Sequence, residues 1–481
     1  MSSNVDFLRN PINGDFRLLY LDAGLALLSS LLVPSPAFSS PHFEMVDGGY
    51  EVEALTASTV DEKSTQVGSR DELEVTKEVS TEEPEFPDGG FRAWLVIAGT
   101  MSSAASTFGY VNAWGVFQAY YQETLLKDVS PSNIAWIGSI QYSLVFLPGL
   151  VTGRLFDLGY FKIPLFAAST LLVLSTFLVA QCTEYWHFIL CQGLATGLAC
   201  GTIFGPTVGV IGHWFKRRRG LAMGVSAMGS SIGGTIFPIA THKLIPLVGF
   251  PWTMRICAFM LMCTLGFANL TLVRRLPPKN VQGGLFNLRA FRSAPFTVYC
   301  LSGFVAFLGL YTVLTYIDLS AISVGVSPDF SFYLVSISNG CSLFGRVAGG
   351  IGSDRIGPLN VLVPMTLIAA GMTFAWPYAR SQASLIVIAV LYGIVSGTYV
   401  STFPLPILAL GDVGDVGRRT GMALTIAAAG ALACPPISGA IYSASGGFEV
   451  VGYYAGSIIV LSVALMVATR QLRLRQVWGK M

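Results

Sequence analysis

Charge is scarce in this chain. Only 12% of its 481 residues are Asp, Glu, Lys or Arg, against about 25% in a soluble domain, while 53% are hydrophobic. Catalytic apparatus is missing as well. The apolar stretches hold no paired carboxylates, no H-x-x-x-H and no Ser/Lys arrangement, and the chain has no P-loop, which counts against an intramembrane enzyme. Eight cysteines (Cys182, Cys191, Cys200, Cys257, Cys263, Cys300, Cys341 and Cys434) fall in or beside apolar stretches without metal-ligand spacing. They are expected to be small packing residues, with no metal, no cofactor and no nucleic-acid partner. The one N-x-S/T sequon, Asn269-Leu270-Thr271, lies inside an apolar stretch, out of reach of a glycosyl transferase.

What the chain does have is long apolar runs. Twelve of them lie between Phe91 and Arg470, at 92–118, 133–153, 163–182, 186–211, 220–241, 253–273, 295–317, 330–351, 359–378, 383–407, 420–442 and 450–469. A run of ~20 apolar residues matches a bilayer core of ~30 Å, and in lipid a helix satisfies its own backbone. Basic residues sit almost entirely in alternate gaps. One side takes Arg92, Arg154, Lys162, Lys216 to Arg219, Arg274, Arg275, Lys279, Arg289, Arg292, Arg346, Arg355, Arg418, Arg419, Arg470, Arg473, Arg475 and Lys480. The other takes only Lys127, Lys243, Arg255 and Arg380. Positive charge stays inside, so a multi-pass protein with both termini cytoplasmic is predicted, in the plasma membrane or else the vacuolar membrane.

Acidic residues cluster before the first run. Fourteen of the 27 lie between Glu44 and Asp88, and only ten in the 393 residues beyond. Residues 45–88, acidic and rich in Ser and Thr, read as a disordered cytoplasmic tail. Residues 1–44 read as an N-terminal extension. Leu18 to Val33 is apolar but broken by Asp22 and too short to span. It suggests either the apolar part of a signal peptide or an early start codon with Met45 as the true first residue.

Two motifs recur across the chain. Gly153-Arg154-Leu155-Phe156-Asp157-Leu158-Gly159 follows the second run, and Gly350-Ile351-Gly352-Ser353-Asp354-Arg355-Ile356-Gly357 follows the eighth, with the aspartates 197 residues apart. Arg218-Arg219-Gly220 precedes the fifth run and Arg418-Arg419-Thr420-Gly421 the eleventh, with Gly220 and Gly421 201 apart. These near-equal offsets predict an all-α membrane fold of twelve helices in two pseudo-symmetric six-helix halves, 89–273 and 295–470. A cytoplasmic linker at 274–294 joins them and a cytoplasmic C-terminus at 471–481 follows. Paired halves of this kind rock about a central site in many secondary transporters.

The second of these loops resembles the signature loop of the major facilitator superfamily. The first departs from it, since Leu158 stands where a basic residue belongs. Pro87-Asp88-Gly89-Gly90-Phe91-Arg92-Ala93-Trp94 resembles the opening motif of the monocarboxylate porter family, and Trp214-Phe215-Lys216-Arg217-Arg218-Arg219-Gly220-Leu221-Ala222-Met223-Gly224 resembles that family's motif leading into the fifth span. With Gly115-Val116-Phe117-Gln118-Ala119-Tyr120-Tyr121, the pattern looks most like the fungal branch over residues 87 to 470. The resemblance implies that Arg154, Asp157, Asp354 and Arg355, with Arg218, Arg219, Arg418 and Arg419, belong to loops that latch the halves, Asp354 more so than Asp157. It also implies an arginine at Arg346, with an aspartate one turn earlier and a lysine in the first span. Here those two positions are Ser342 and Asn112, so the proton-coupled carboxylate mechanism does not carry over.

Glycines at 193, 197, 201, 205 and 209 repeat every four residues and put one face of the fourth span in reach of another backbone. Static packing and a sliding surface are both compatible with it. Gly149/Gly153, Gly220/Gly224, Gly345/Gly349 and Gly393/Gly397 repeat the device. Ionisable residues inside a membrane are functional candidates, and Arg346 leads them, set against an arginine that snorkels to the surface. Asn112, Gln118, Gln141, Gln192, Asn339 and Ser342 are candidates for a polar, uncharged substrate path, set against interhelical glue. Tyr142, Tyr311, Tyr392 and Tyr399 are candidates for stacking on a ring-bearing solute, set against packing. The expected function is secondary transport of a small organic solute, with export of a fungal secondary metabolite favoured. Proton-linked uptake of a monocarboxylate or a vitamin-like nutrient is the alternative within that class. A non-transporting sensor is the alternative outside it. Protons and membrane lipid are the other expected partners, the lipid through Lys216 to Arg219.

Overall fold

The computed structural model describes residues 86–277, 284–411, 415–476 and Gly479, all within the unit Phe86–Met481. The extension 1–44, and all of the predicted tail except residues 86–88, lie outside the described residues. No strand occurs among the described residues.

Twelve helical rods account for the fold of the described residues: α1 (91–125), α2 (Asn133–Asp157), α3 (Lys162–Val179), α4 (Tyr185–Trp214), α5 (219–248), α6 (250–271), α7 (Ala294–Ser323), α8 (Pro328–Ile356), α9 (Pro358–Tyr378), α10 (Gln382–Ala409), α11 (Val416–Ser445) and α12 (Phe448–Leu474). Nine helices among the described residues are long and apolar enough to cross a membrane. One of the nine, 53 residues long, is α5 and α6 joined across Gly249, whose φ of 77° breaks the helical path. The remaining two rods are α1, divided into short segments, and α8, which carries Asp329, Arg346, Asp354 and Arg355.

Local chemistry sets the ends. Ser130 accepts the Asn133 amide at 3.3 Å to open α2 behind Pro131, as N-caps do. Gly357, at φ 98°, ends α8, and Pro358 starts α9 directly. Most rods outrun their predicted ranges, because a helix continues beyond the apolar core until a cap or glycine stops it. The fifth run, read as 220–241, continues to 248. The first, read as 92–118, continues to 125 with π turns at Ala105–Gly109 and Tyr121–Leu125 and a break at Asn112 and Ala113. α7 breaks at mid-span too, at Tyr311.

Each half is packed around its own helix pairs. In α1–α6, Ser106 meets Thr264 at 2.7 Å, and Asn269 donates to Ser169 at 2.9 Å. In α7–α12, Ser462 donates to the Ser302 carbonyl at 2.8 Å, and Thr312 meets Ser438 at 3.0 Å. The halves touch where α2 meets α11 and α5 meets α8. The two contacts correct the predicted register. Asp157 engages Gly417 and Asp354 engages Gly220, so the counterpart of Gly220 is Gly417 rather than Gly421. Gly421 is the counterpart of Gly224, and all of these pairs are 197 residues apart. The sequence alignment followed the Arg-Arg pair, whereas the helix contact follows the glycines.

Candidate functional site

At the basic end, two carboxylates cross from one half to the other. Asp354, at the end of α8, accepts the Gly220 amide at 2.6 Å and the Leu221 amide at 2.8 Å. Asp157, at the end of α2, accepts the Gly417 amide at 3.1 Å and the Arg418 amide at 3.0 Å. The first turn of a helix offers unpaired N–H groups and a partial positive charge, so each carboxylate caps a helix of the opposite half. Where Leu158 stands in place of a basic residue, the Asp157 contact still forms through two backbone donors, longer than the pair at Asp354.

Glycine makes these approaches possible. A Cβ at Gly153 would fall on the Gly417 carbonyl, and one at Gly350 on the Gly220 carbonyl. Gly421 sits against Gly149, and Gly224 against the Arg346 carbonyl. The long glycine face of α4 lies elsewhere. Gly193, Gly197, Gly201, Gly205 and Gly209 all face α2 of their own half, meeting Ile137, Gln141, Leu144, Gly149 and Phe156. Gly345/Gly349 and Gly393/Gly397 likewise join α8 to α10 within one half. Only Gly149/Gly153 and Gly220/Gly224, among the glycine pairs, lie between halves.

Deeper along α5 and α8 runs a polar seam. Arg346 Nη1 donates to the Ala227 carbonyl at 2.9 Å and to Ser230 at 2.6 Å. Ser342 and Ser231 share a hydrogen bond of 2.6 Å. Asn339 donates to the Gly234 carbonyl at 3.4 Å. Residues 339, 342 and 346 share one helical face, and it binds 227, 230, 231 and 234 across the interface. Asn112, at the break in α1, reaches the same level beside Gly234 and accepts from the Tyr142 hydroxyl at 3.0 Å. Tyr142 and Asn339 are themselves 197 residues apart.

Arg346 is neither a surface anchor nor matched to an acid. It is 8% exposed, its Nε–H has no hydrogen-bond partner, and no carboxylate is paired with it among the described residues.

The other amides do not join the seam. Gln118 accepts from Trp114 on its own helix at 2.8 Å. Gln192 accepts from Tyr121 inside the first half. Gln141 is buried on α2, with its Oε1 unpartnered among the described residues. Tyr392 is buried and donates to the Leu310 carbonyl at 2.5 Å, and Tyr399 is fully buried, so neither ring is open to a solute in this conformation. Arg355 is exposed at the end of α8 and Arg218 at the start of α5, whereas Arg154 is buried. Arg219 donates to the Phe215 carbonyl at 3.0 Å.

Two aspartates were not anticipated. Asp88 accepts the amides of Lys216 and Arg217 at 2.7 Å and of Arg218 at 3.2 Å. Residues 86–88 are therefore bound to the loop before α5, and the predicted tail ends too late; the Pro-Asp-Gly-Gly motif was the available signal. Asp415 accepts from Arg418, lies 3.8 Å from Arg419 and accepts from Asn287 at 2.5 Å. Arg418 and Arg419, expected as latch arginines, are thus buried partners of an acid on their own helix. At the linker, Arg274 donates to the Phe156 carbonyl at 2.7 Å and covers the end of α2. Partial burial lowers its pKa, and nearby Asp157 opposes that shift.

Known proteins share this architecture. The family described as Major Facilitator Superfamily matches residues 99–414. MFS-type transporter 1 of Ophiocordyceps sp. is 38% identical over 410 residues, 84% of this chain and 91% of that protein. The aspyridones efflux protein of Emericella nidulans is 36% identical over 404 residues, 84% and 82% of the two chains. The fujikurins efflux protein of Gibberella fujikuroi is 34% identical over 397 residues, 80% and 84%. Among solved structures, the human organic anion transporter MFSD10 superposes with a TM-score of 0.62 at 16% identity, and the E. coli fucose:proton symporter with 0.63 at 14%. Each covers 78% of this chain and 98% of its own. At that identity the likeness concerns the fold.

Proposed function

The chain belongs to the major facilitator superfamily, and from that premise we propose that it exports a small organic secondary metabolite by alternating access. The observation that carries the mechanism is the pair of crossed caps, Asp354 on α5 and Asp157 on α11. They favour a state closed at the basic end, and must break when that end opens. The direction rests on relatives named as efflux proteins. The motifs around Asp88 and Lys216 support placement in the monocarboxylate porter-like, fungal branch.

The basic end is proposed to be cytoplasmic, with both termini there and the plasma membrane as the site. The halves are proposed as 89–273 and 295–470, joined by 274–294. Arg346 is proposed to meet an acidic group on the solute, because a buried guanidinium without a carboxylate is a charge left to be balanced. Asn112, Tyr142, Asn339 and Ser342 line the path beside it. Proton-linked uptake of a monocarboxylate fits less well, since Ser342 and Asn112 are held in neutral hydrogen bonds where the porter family's resemblance calls for charge.

Deleting the gene should leave inside the producing cells a metabolite that the parent releases, and inside-out vesicles carrying the protein should accumulate it. In those vesicles Arg346→Ala should raise the apparent KM at least about tenfold, one pairing interaction lost. Arg346→Lys should keep part of the activity, having the charge without the fork. Accumulation only in right-side-out vesicles would reverse the direction, and parental kinetics for Arg346→Ala would remove the arginine from the site.

A further inference from the structure

Eight aromatic rings form one continuous chain through the centre of the protein. Phe108, Phe146 and Phe204 belong to the first half, with ring centroids 4.6 to 6.4 Å apart. Phe307, Tyr311, Tyr399, Phe403 and Tyr299 belong to the second, 5.4 to 6.0 Å apart. One pair bridges the halves: Phe146 meets Phe307 edge to face at 6.3 Å. Both are nearly buried, at 5% and 3% exposure. Phe146 lies one turn from Gly149, whose backbone meets Gly421 of the other half. Below the ring pair the halves therefore touch backbone to backbone, and at the ring pair they touch through side chains.

Packing alone accounts for most of these rings, but not for Tyr399. Its ring sits 6.0 Å from Phe307. It is 0% exposed, and its hydroxyl has no hydrogen-bond partner among the described residues. A buried, unpaired phenol costs free energy, and it lies directly behind the ring pair that must separate when the halves part. The Tyr311 ring lies 5.5 Å from Phe307. An opening between Phe146 and Phe307 is thus walled by rings and backed by an unsatisfied O–H donor, and Ser401, two residues beyond Tyr399, donates to the Arg346 carbonyl at 3.5 Å.

We propose that Phe146 and Phe307 form a specificity clamp for a planar, conjugated ring of the solute, with a carbonyl or enolate oxygen at the ring edge accepting from Tyr399. This rests on the transport reading above and names the solute class of the same site. A flat ring ~3.5 Å thick can enter where two rings separate, and ring faces reward conjugation beyond the area they bury. A saturated ring of equal size is thicker and carries no such reward.

The purified full-length protein in detergent tests this with two probes, 2-naphthoate and its fully saturated decalin analogue. Both carry the carboxylate for Arg346, and they differ in planarity and conjugation. The parent should bind naphthoate about tenfold more tightly, the worth of one or two aromatic contacts. Phe307→Leu and Phe146→Leu should each reduce that preference to about twofold while leaving the saturated probe within twofold of the parental Kd. Arg346→Ala should weaken both probes alike. Tyr399→Phe should leave the ring preference in place and remove the extra affinity of 1-hydroxy-2-naphthaldehyde, whose oxygens sit at the ring edge, over naphthalene. Variants are compared only where their melting temperature stays within a few degrees of the parent, and the two leucine variants serve as alternatives should one fail to fold. Equal binding of both probes by the parent, no saturable naphthoate binding, or an unchanged preference in the leucine variants overturns the clamp. Vesicle export of the native metabolite is read separately, so its loss strikes the transport reading and its persistence beside equal probe binding strikes only the clamp.

Discussion

Replacing Asp354 by Ala removes an acceptor that caps two amides of α5 at 2.6 and 2.8 Å. A hydrogen bond to a charged group contributes about 1.5–3 kcal/mol, and a carboxylate at a helix N-terminus about 0.3–1 kcal/mol more. When the basic end opens, the carboxylate recovers water, so the lower end of that range applies, about 3 kcal/mol for the latch. That is about a hundredfold in the ratio of closed to open states. A protein resting near 99:1 would move to about 1:1. Asp354→Asn keeps an acceptor without the charge and should move it about half as far in free energy.

The assay is a distance distribution between spin labels at Tyr160→Cys and Ile356→Cys. These exposed positions at the basic end, 59% and 54% accessible, belong to opposite halves. The accessible Cys191, Cys263 and Cys341 would be replaced by Ser. The parent should give one dominant short distance. Asp354→Ala should add a longer one of comparable weight, and Asp157→Ala should do the same through α11. Distributions unchanged in both variants, with transport at the parental rate, would refute the crossed caps as latches.

Two glycine substitutions should fail in different ways. Gly201→Leu would press on Pro148 and the Val145 carbonyl, sites already 2.7 and 2.8 Å from a bare Cβ, and should lower the melting temperature through overpacking of about 1–3 kcal/mol; Gly350→Leu should spare the melting temperature yet populate the long-distance state, because its obstruction lies between halves. Asp415→Ala should cost about 3–5 kcal/mol, the loss expected when one member of a buried charge set is removed, since Arg418 and Asp415 are only 2% and 5% exposed; a melting temperature within two degrees of the parent would contradict that.

The twelve runs were legible because lipid imposes a single length and composition on anything that crosses it. The loops carrying Asp157 and Asp354 stood out because their motif recurs 197 residues apart, and the latch role proposed for them came from family resemblance. What the sequence concealed followed from three-dimensional partners. Asp415 precedes two arginines by three and four residues, yet nothing in that spacing says that the set is buried and completed by Asn287 of the linker. The breaks at Asn112 and Tyr311 carry no proline, and the glycines shortly before them, Gly109 and Gly309, are two among many in the apolar runs. The four-residue glycine period of α4 names a face and not its partner, and the residues that face meets belong to α2 of the same half.

The repeat register, once corrected to 197 residues, separates what the two halves must share from what they need not. Position 149 in the first half corresponds to 346 in the second. Both present a backbone that a glycine of the other half approaches, Gly421 in one case and Gly224 in the other. Closing the basic end depends on those backbones, so both halves keep them. The side chain at that position is not part of the contact and is therefore unconstrained by it. In one half it is a hydrogen atom; in the other it is a guanidinium that crosses to Ala227 and Ser230. Under the proposed function, symmetry of the backbone serves the motion, and recognition falls to the positions that symmetry leaves free. Tyr142 and Asn339, one pair of counterparts with unlike side chains at the level of the seam, follow the same rule, and so do Phe307 and its counterpart Tyr110, which packs within its own half.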